Sequence, residues 1–340
     1  MRVLVTGSDG YIGSVLVPIL EDAGFGVTGW DSRWFSECVF GPQSSDPVPN
    51  PIDIRDLSNH SLDGFDAVVH LAALSNDPLG ALAEQDTYDI NHLASVSLAR
   101  LAKDSGVKRF VYSSTCSVYG AADPSLAVNE NSPMSPVTAY AKSKVAVEGD
   151  LSKMASEDFC PIFLRNATAY GVSPRLRTDL VLNNLVAWAY LTGSIKVLSD
   201  GTPWRPLVHV RDISAAALSV LSAPEVGVRA QAFNIGHENF QVREIASIVA
   251  NQFPGCEVEI TGDSGSDPRS YRVDFSKAQR LLPDLKFAWT VESGAAELAR
   301  FYRSYGLTME QMTLNFARLP WLTKLRDEGK LGPDFRWKNT

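Results

Sequence analysis

A glycine loop set directly behind the first apolar run constrains this chain more than any other feature. Residues 2–5, Arg2-Val3-Leu4-Val5, read as a strand, and Gly7-Ser8-Asp9-Gly10-Tyr11-Ile12-Gly13 follows at once and opens an amphipathic segment at 12–23. Glycines in these places permit a tight turn, close approach of backbone to a pyrophosphate, and close packing of helix on strand. The helix N-terminus adds free N–H groups and a positive dipole end. The spacing is G-x-x-G-x-x-G rather than G-x-G-x-x-G, and glycines alone also fit a plain turn. Its position right after a buried strand decides for a phosphate-binding loop.

The same rhythm continues through the first half. Strand candidates at 26–30, 67–71, 109–113 and 161–164 are interleaved with amphipathic segments at 87–105 and 139–156. Apolar runs alternating with helices are what parallel βαβ crossovers produce. The fold class expected is α/β, a doubly wound parallel (Rossmann) sheet with a smaller C-terminal α/β substrate lobe. Length fits about two domains at roughly 150 residues each. Residues 1–165 are expected to form the dinucleotide-binding domain and 166–305 the lobe. Within 205–240 the chain returns in part to the first domain, through a strand at 231–236. Residues 306–340, with Trp321, Leu325, Leu331 and Trp337, read as a C-terminal packing arm, a short helical hairpin laid over the body.

Composition excludes several classes. With 45% hydrophobic and 21% charged residues the chain is not wholly disordered. A formal net charge of −8 argues against nucleic acid and anionic membrane surfaces as partners, because the long-range field repels polyanions. Cys38, Cys116, Cys160 and Cys256 are scattered, without metal-ligand spacing, so reduced thiols and no bound metal are expected. Met1-Arg2 leads straight into the first strand, and no apolar stretch approaches the length of a membrane span. A cytoplasmic enzyme is the expectation.

Asp31 closes the second strand, 18 residues after Gly13. A carboxylate there accepts both ribose hydroxyls of an adenosine and repels a 2′-phosphate, which favours NAD over NADP. A turn or helix-capping aspartate is the plain alternative, and Arg33 nearby is the one residue that argues for NADP. Tyr140 and Lys144, in Tyr140-Ala141-Lys142-Ser143-Lys144, share one helix face. A phenol with an ordinary pKa of about 10 is a weak base at neutral pH until a nearby cation lowers it. Alone, such a pair fits any solvated helix. Phe110-Val111-Tyr112-Ser113-Ser114-Thr115 adds hydroxyls at the carboxyl end of a strand, where ligands of open α/β sheets bind.

Taken together, these residues resemble the extended short-chain dehydrogenase/reductases of the nucleotide-sugar epimerase/dehydratase group, over roughly residues 1–305. The resemblance is carried by Thr6-Gly7 to Gly13, Asp31, Asp53-Ile54, His70-Leu71-Ala72-Ala73, Asn91, Ser114-Thr115 through Val118-Tyr119-Gly120, Tyr140 to Lys144, and Arg205 with His209. It implies that Tyr140 exchanges a proton with a sugar hydroxyl. By the same resemblance Lys144 holds the nicotinamide ribose and lowers the Tyr140 pKa, while Thr115 bonds the same sugar oxygen. Gly7, Gly10, Tyr11, Ile12, Gly13 and Asp31 would bind the cofactor NAD, with Asp53 and Ile54 at the adenine. Leu71, Ala72, Ala73, Asn91 and Ser113 would line its groove. Ser75, Thr115, Cys116, Ser117, Thr168, Asn183, Arg205 and Arg269 would face a nucleotide-diphosphate sugar. Family members often dimerise through two helices, here 87–105 and 139–156, so a homodimer is implied.

The segment 166–212 carries five Lys/Arg against three acids, a local surplus in an acidic chain. Within it Arg205 matches the family arginine on the diphosphate, a task that suits a planar fork. Arg175, Arg211 and Arg272 read as ordinary structural or surface charges. Asn183 and Asn184 either bond phosphates or cap a helix. Departures from the family narrow the reaction. The 4,6-dehydratases carry Asp-Glu directly after the catalytic threonine, and nucleotide-sugar decarboxylases a glutamate at the second place. Here those places are Cys116 and Ser117. UDP-galactose 4-epimerases carry small or hydroxyl residues there, although Thr168 stands where they have asparagine. Cys116 is either an acid/base facing the sugar or a small buried thiol. The reaction implied by the resemblance is epimerisation by transient oxidation at a ring carbon, C4 by family analogy, and hydride return. The alternatives are a 4-keto-sugar reductase or dehydratase on the same scaffold, and an inactive NAD-sensing or scaffold protein.

Overall fold

The computed structural model describes residues 1–42, 50–57, 62–75, 83–120, 126–262 and 270–338. Its centre is a sheet of β1 (Arg2–Thr6), β2 (Gly26–Trp30), β3 (Ala67–His70), β4 (Arg109–Thr115), β6 (Cys160–Asn166) and β10 (Ala232–Ile235). Their spatial order is β2-β1-β3-β4-β6-β10, with every pairing parallel. All five strand candidates of the first half lie in this sheet, and 231–236 returns to its edge as β10, with Phe233 opposite Leu164. The strands β3 and β6 are buried throughout, which is why their apolar runs show no alternation. The edge strand β2 is mostly open and ends on buried Trp30.

Each face of the sheet has its own core. Val3 and Val5 meet Leu16 and Leu20 of α1 (Gly13–Asp22) on one side, together with Ile213 and Val220 of α5 (Val210–Ser222). On the other side Leu4 joins Val68 and Phe110, Leu98 of α2 (84–104), and Val147 of α3 (Ala139–Met154). Helix α2 widens into a π-helical turn over Asp89–Ala94, a distortion that often marks functional positions.

The strand order turns about β1, since β2 lies on one side of it and β3 on the other. At such a switch point the loops after the strands part, and a crevice opens at their carboxyl ends. Beyond the sheet, β7 (Thr168–Tyr170), β9 (Trp204–His209) and β11 (Glu238–Gln241) form a three-stranded sheet. Two parallel pairs complete the strands: β8 (Ser194–Val197) with β12 (Glu257–Ile260), and β5 (Ala127–Val128) with β13 (Arg272–Val273). A third core gathers α4 (Val181–Thr192), α6 (Val242–Ala250) and α7 (Val291–Tyr305).

The C-terminal arm enters that third core. It contains a π-helical turn at Gln311–Asn315 and α8 (Arg318–Asp327), and then doubles back so that Leu331 bridges Trp337. The helical hairpin read from the sequence is thus one helix and an extended return. Gly329, at φ 73°, and Pro333 prevent a second helix. Trp321 and Leu325 are fully packed, and the Trp321 indole donates to the Trp34 carbonyl at 2.7 Å. Trp337 likewise donates to the Ser32 carbonyl at 2.7 Å. The arm therefore grips the loop that follows Asp31.

Candidate active site

A cavity of about 870 Å³ opens at the carboxyl ends of β1, β3 and β4 and runs from the glycine loop to β8 and β9. Gly7 sits at φ 73°, and a Cβ added there would lie 2.7 Å from the Ala72 nitrogen. A Cβ on Gly13 would lie 2.2 Å from the Gly7 carbonyl oxygen, so neither position accepts a side chain without moving backbone. Gly7, Gly10, Tyr11, Ile12, Gly13, Asp31, Asp53, Ile54, Leu71, Ala72, Ala73 and Ser113 all line this end. A cradle with a strand-end carboxylate at its rim fits a dinucleotide.

Asp31 accepts from the backbone N–H of Asp9 at 3.0 Å and of Arg33 at 2.6 Å. Burial pushes its carboxyl up, against the pull of those two donors. The Arg33 side chain leaves the cavity and reaches Asp9 at 3.4 Å, so the residue that argued for a 2′-phosphate is engaged elsewhere. Arg175 closes on the same Asp9, with Nε 3.0 Å from Oδ1, and stiffens the glycine loop from outside. Burial raises the Asp53 carboxyl, but the two-pronged hold of Arg55 outweighs it and keeps the group below its ordinary range.

Thr115, Tyr140 and Lys144 converge in the middle of the cavity. Thr115 ends β4, and its Oγ1 accepts from the Ser117 N–H at 3.1 Å, which leaves its own hydroxyl proton to donate. Thr138 caps α3 through the Ala141 N–H at 3.1 Å, placing Tyr140 in the first turn and Lys144 one turn on. The Lys144 ammonium lies 5.7 Å from the Tyr140 ring centre and donates to the Ser113 carbonyl at 2.7 Å. Only 2% exposed, its pKa is pushed down to about 7 by burial, with Glu148 acting against the shift. Glu148 is held by Arg165 at 2.7 Å and by Ser114 at 2.5 Å, a buried network beneath the helix. His70 packs between Thr6 and Ser95, with its pKa driven down to about 3 by burial and then by the Lys144 charge, so it stays neutral.

Of the residues expected to face the sugar, Ser75, Thr115, Ser117, Thr168 and Arg205 line the cavity. Cys116 does not. Its thiol is buried against the Arg165 carbonyl at 3.0 Å, and burial raises its pKa far above the ordinary thiol range. Cys116–Tyr119 forms a single 3₁₀ turn directly after β4, and in it Ser117 lines the cavity while Cys116 is turned into the core. Asn183 is also turned away: it accepts from Gly171 N–H at 3.0 Å and donates to the Arg177 carbonyl at 2.9 Å. Its neighbour Asn184, about 100° round the helix, lines the cavity instead. Neither caps α4, which starts one turn earlier. Asn91 lies in the π turn, accepting from Leu74 N–H at 2.7 Å and donating to its carbonyl at 3.0 Å; it shapes the groove from behind. Arg269 lies outside the described residues.

Among the cavity residues not singled out from sequence are Asn166, Arg177 and Arg318 of the C-terminal arm. Asn166 donates to the Ser113 hydroxyl at 3.0 Å, while its Oδ1 finds no donor among the described residues. Arg177 is held by Asp179 at 2.8 Å and by Ser75 Oγ at 3.1 Å. Asn166 and Arg177 lie beside quoted motifs and an inward strand-end position could have found Asn166; nothing local marks Arg318. Among the described residues no group of His, Cys, Asp and Glu could hold a metal ion, and no helix is long and apolar enough to cross a membrane.

A family model described as the NAD dependent epimerase/dehydratase family matches residues 3–236. A UDP-glucose 4-epimerase of Mycolicibacterium smegmatis is 29% identical over 322 residues, covering 89% of this chain and 99% of that one. A dTDP-D-glucose 4,6-dehydratase of Mus musculus is 25% identical over 327 residues, covering 89% and 88%. Among solved structures, MoeE5 in complex with UDP-glucuronic acid and NAD superposes with a TM-score of 0.77 at 28% identity, covering 89% of this chain and 99% of that one.

Proposed function

Since the chain belongs to the NAD-dependent epimerase/dehydratase family, we propose that within it the protein is an epimerase of nucleotide-diphosphate sugars. One observation carries the choice of reaction. The cavity holds the full Thr115, Tyr140 and Lys144 set but, among the described residues, offers no acid and base for eliminating water. At the two places after Thr115 stand a thiol turned into the core and a serine hydroxyl. The described carboxylates of the cavity are committed or remote. Asp31 and Asp53 lie at the cofactor end, Asp179 is locked to Arg177, and Asp200 is exposed and bonded to Thr202.

NAD, held by the glycine loop and Asp31, supplies the acceptor and donor of a hydride. Tyr140 takes the proton of the sugar hydroxyl as the ring carbon is oxidised and returns it afterwards. The Lys144 charge beside it favours the phenolate, and Thr115 donates to the same sugar oxygen. Arg205 and Asn184, at the far end, receive the diphosphate and nucleotide. A homodimer through α2 and α3 belongs to the same reading, supported by Leu93, which stands 56% exposed on α2.

The test is incubation with a panel of nucleotide sugars followed by NMR, with nicotinamide absorbance read in parallel. An epimer formed without net change in the reduced nicotinamide supports the reading. Stoichiometric consumption of the reduced cofactor on a keto-sugar would make it a reductase, and loss of water a dehydratase.

A further inference from the structure

Four arginines surround the glycine loop and the loop after β2, and three of them have a carboxylate partner. Arg33 and Arg175 share Asp9, and Arg177 holds Asp179. Arg318 has none among the described residues. It is 5% exposed, its guanidinium lies 3.9 Å over the Phe35 ring, and one amino group donates to the Arg175 carbonyl at 3.1 Å. The other amino group, NH1, is buried with no acceptor among the described residues, although the side chain lines the cavity. A buried guanidinium with no carboxylate in direct contact is costly, Asp179 and Asp31 acting on it only at longer range, and an arriving anion would offset that cost.

We propose that Arg318 binds a diphosphate in this cavity, the diphosphate of the dinucleotide. Its neighbours fix the choice. Phe35 follows Asp31 on the β2 loop, and Arg175 ties Arg318 to Asp9 of the glycine loop, with Nε 3.1 Å from the Asp9 carbonyl. The adenosine half of a dinucleotide lies between those two loops, with its phosphates over the helix N-terminus. The arm that carries Arg318 is anchored to the same loop by the Trp321 and Trp337 indoles, so cofactor binding and docking of the arm support each other. Residue 318 lies beyond the stretch matched by the family model, which ends at 236. The inference rests on NAD as the cofactor and is independent of which sugar is transformed.

Calorimetric titration of the full chain freed of nucleotide, with NAD, ADP-ribose, adenosine and UDP as separate ligands, tests it. For Arg318→Met, affinity for NAD and ADP-ribose should fall roughly 10–100-fold, as for loss of a charge-assisted hydrogen bond. Adenosine and UDP should bind within about twofold of wild type, and Arg318→Lys should recover part of the loss. Ligand-free Arg318→Met should unfold at the same denaturant concentration as wild type or a higher one, because a buried unpaired charge is gone. Equal NAD affinity in Arg318→Met overturns the proposal. So does a loss confined to UDP, which assigns the residue to the sugar nucleotide, or an equal loss for adenosine, which makes it a structural brace. Wild-type protein that bound neither NAD nor ADP-ribose would overturn the cofactor assignment along with it.

Discussion

The two ends of the cavity are built by different means. At the cofactor end the surface is largely backbone: three glycines, the first turn of α1 and the ends of β1 and β3 meet so closely that a single methyl group at Gly13 collides with the Gly7 carbonyl. At the sugar end the surface is side chains from separate elements, with Ser75, Thr168, Asn184 and Arg205 drawn from four places in the chain. Backbone surfaces tolerate almost no substitution but leave little room for variation in ligand. Side-chain surfaces can be exchanged one residue at a time, which is how one scaffold serves several sugars and reactions.

That contrast can be broken most forcefully at Gly13. Gly13→Ala should abolish bound NAD and lower the unfolding temperature, both read on the purified protein; normal cofactor content would show that the loop has slack the geometry denies. Between the two ends, Tyr140→Phe should cut turnover by roughly 10²–10⁴-fold while NAD content stays that of wild type. Activity within a few-fold of wild type would remove Tyr140 from the chemistry.

Lys144 sharpens the contrast through pH. Its folded-state pKa of about 7 lies below the ordinary 10.5, so between those values the unfolded chain holds a proton that the folded chain has released. Stability of the cofactor-free protein therefore gains with pH across that window from this group. Lys144→Met removes the contribution, so the variant should be the more stable protein at pH 7, with its advantage shrinking toward pH 9 in denaturant titrations. A difference that is flat or grows with pH would mean that the lysine is not held in an unfavourable charge state. The smallest effect is expected at Cys116. With its thiol bonded into the core, Cys116→Ala should leave turnover within about twofold, and a hundredfold loss would return it to the sugar.

The same division explains what was legible in the sequence. Gly7 to Gly13, Asp31, and the Tyr140–Lys144 pair are local patterns whose geometry follows from one strand, one turn or one helix face. The parallel sheet was legible for the same reason, because runs such as 109–113 and 161–164 are buried on both faces. Orientation within a short irregular segment was not. Whether Cys116 or Ser117, and Asn183 or Asn184, faces the cavity depends on a rotation of one residue, set by packing against Arg165 and against Gly171. Arg318 was hidden because it reaches the cavity from an arm far along the chain from the residues it meets, Phe35 and Arg175. Its sequence surroundings, Leu319, Trp321, Leu322 and Leu325, describe packing and nothing else.

In the proposed epimerisation a ring carbon is oxidised and then receives the same hydride back. The direct measurement uses a nucleotide sugar deuterated at that carbon, converted in ordinary water, with the product examined by NMR and mass spectrometry. Retention of the deuterium in the epimer at the labelled carbon is the predicted result. Wash-out of the label into solvent, or a product lacking the elements of water, would contradict it.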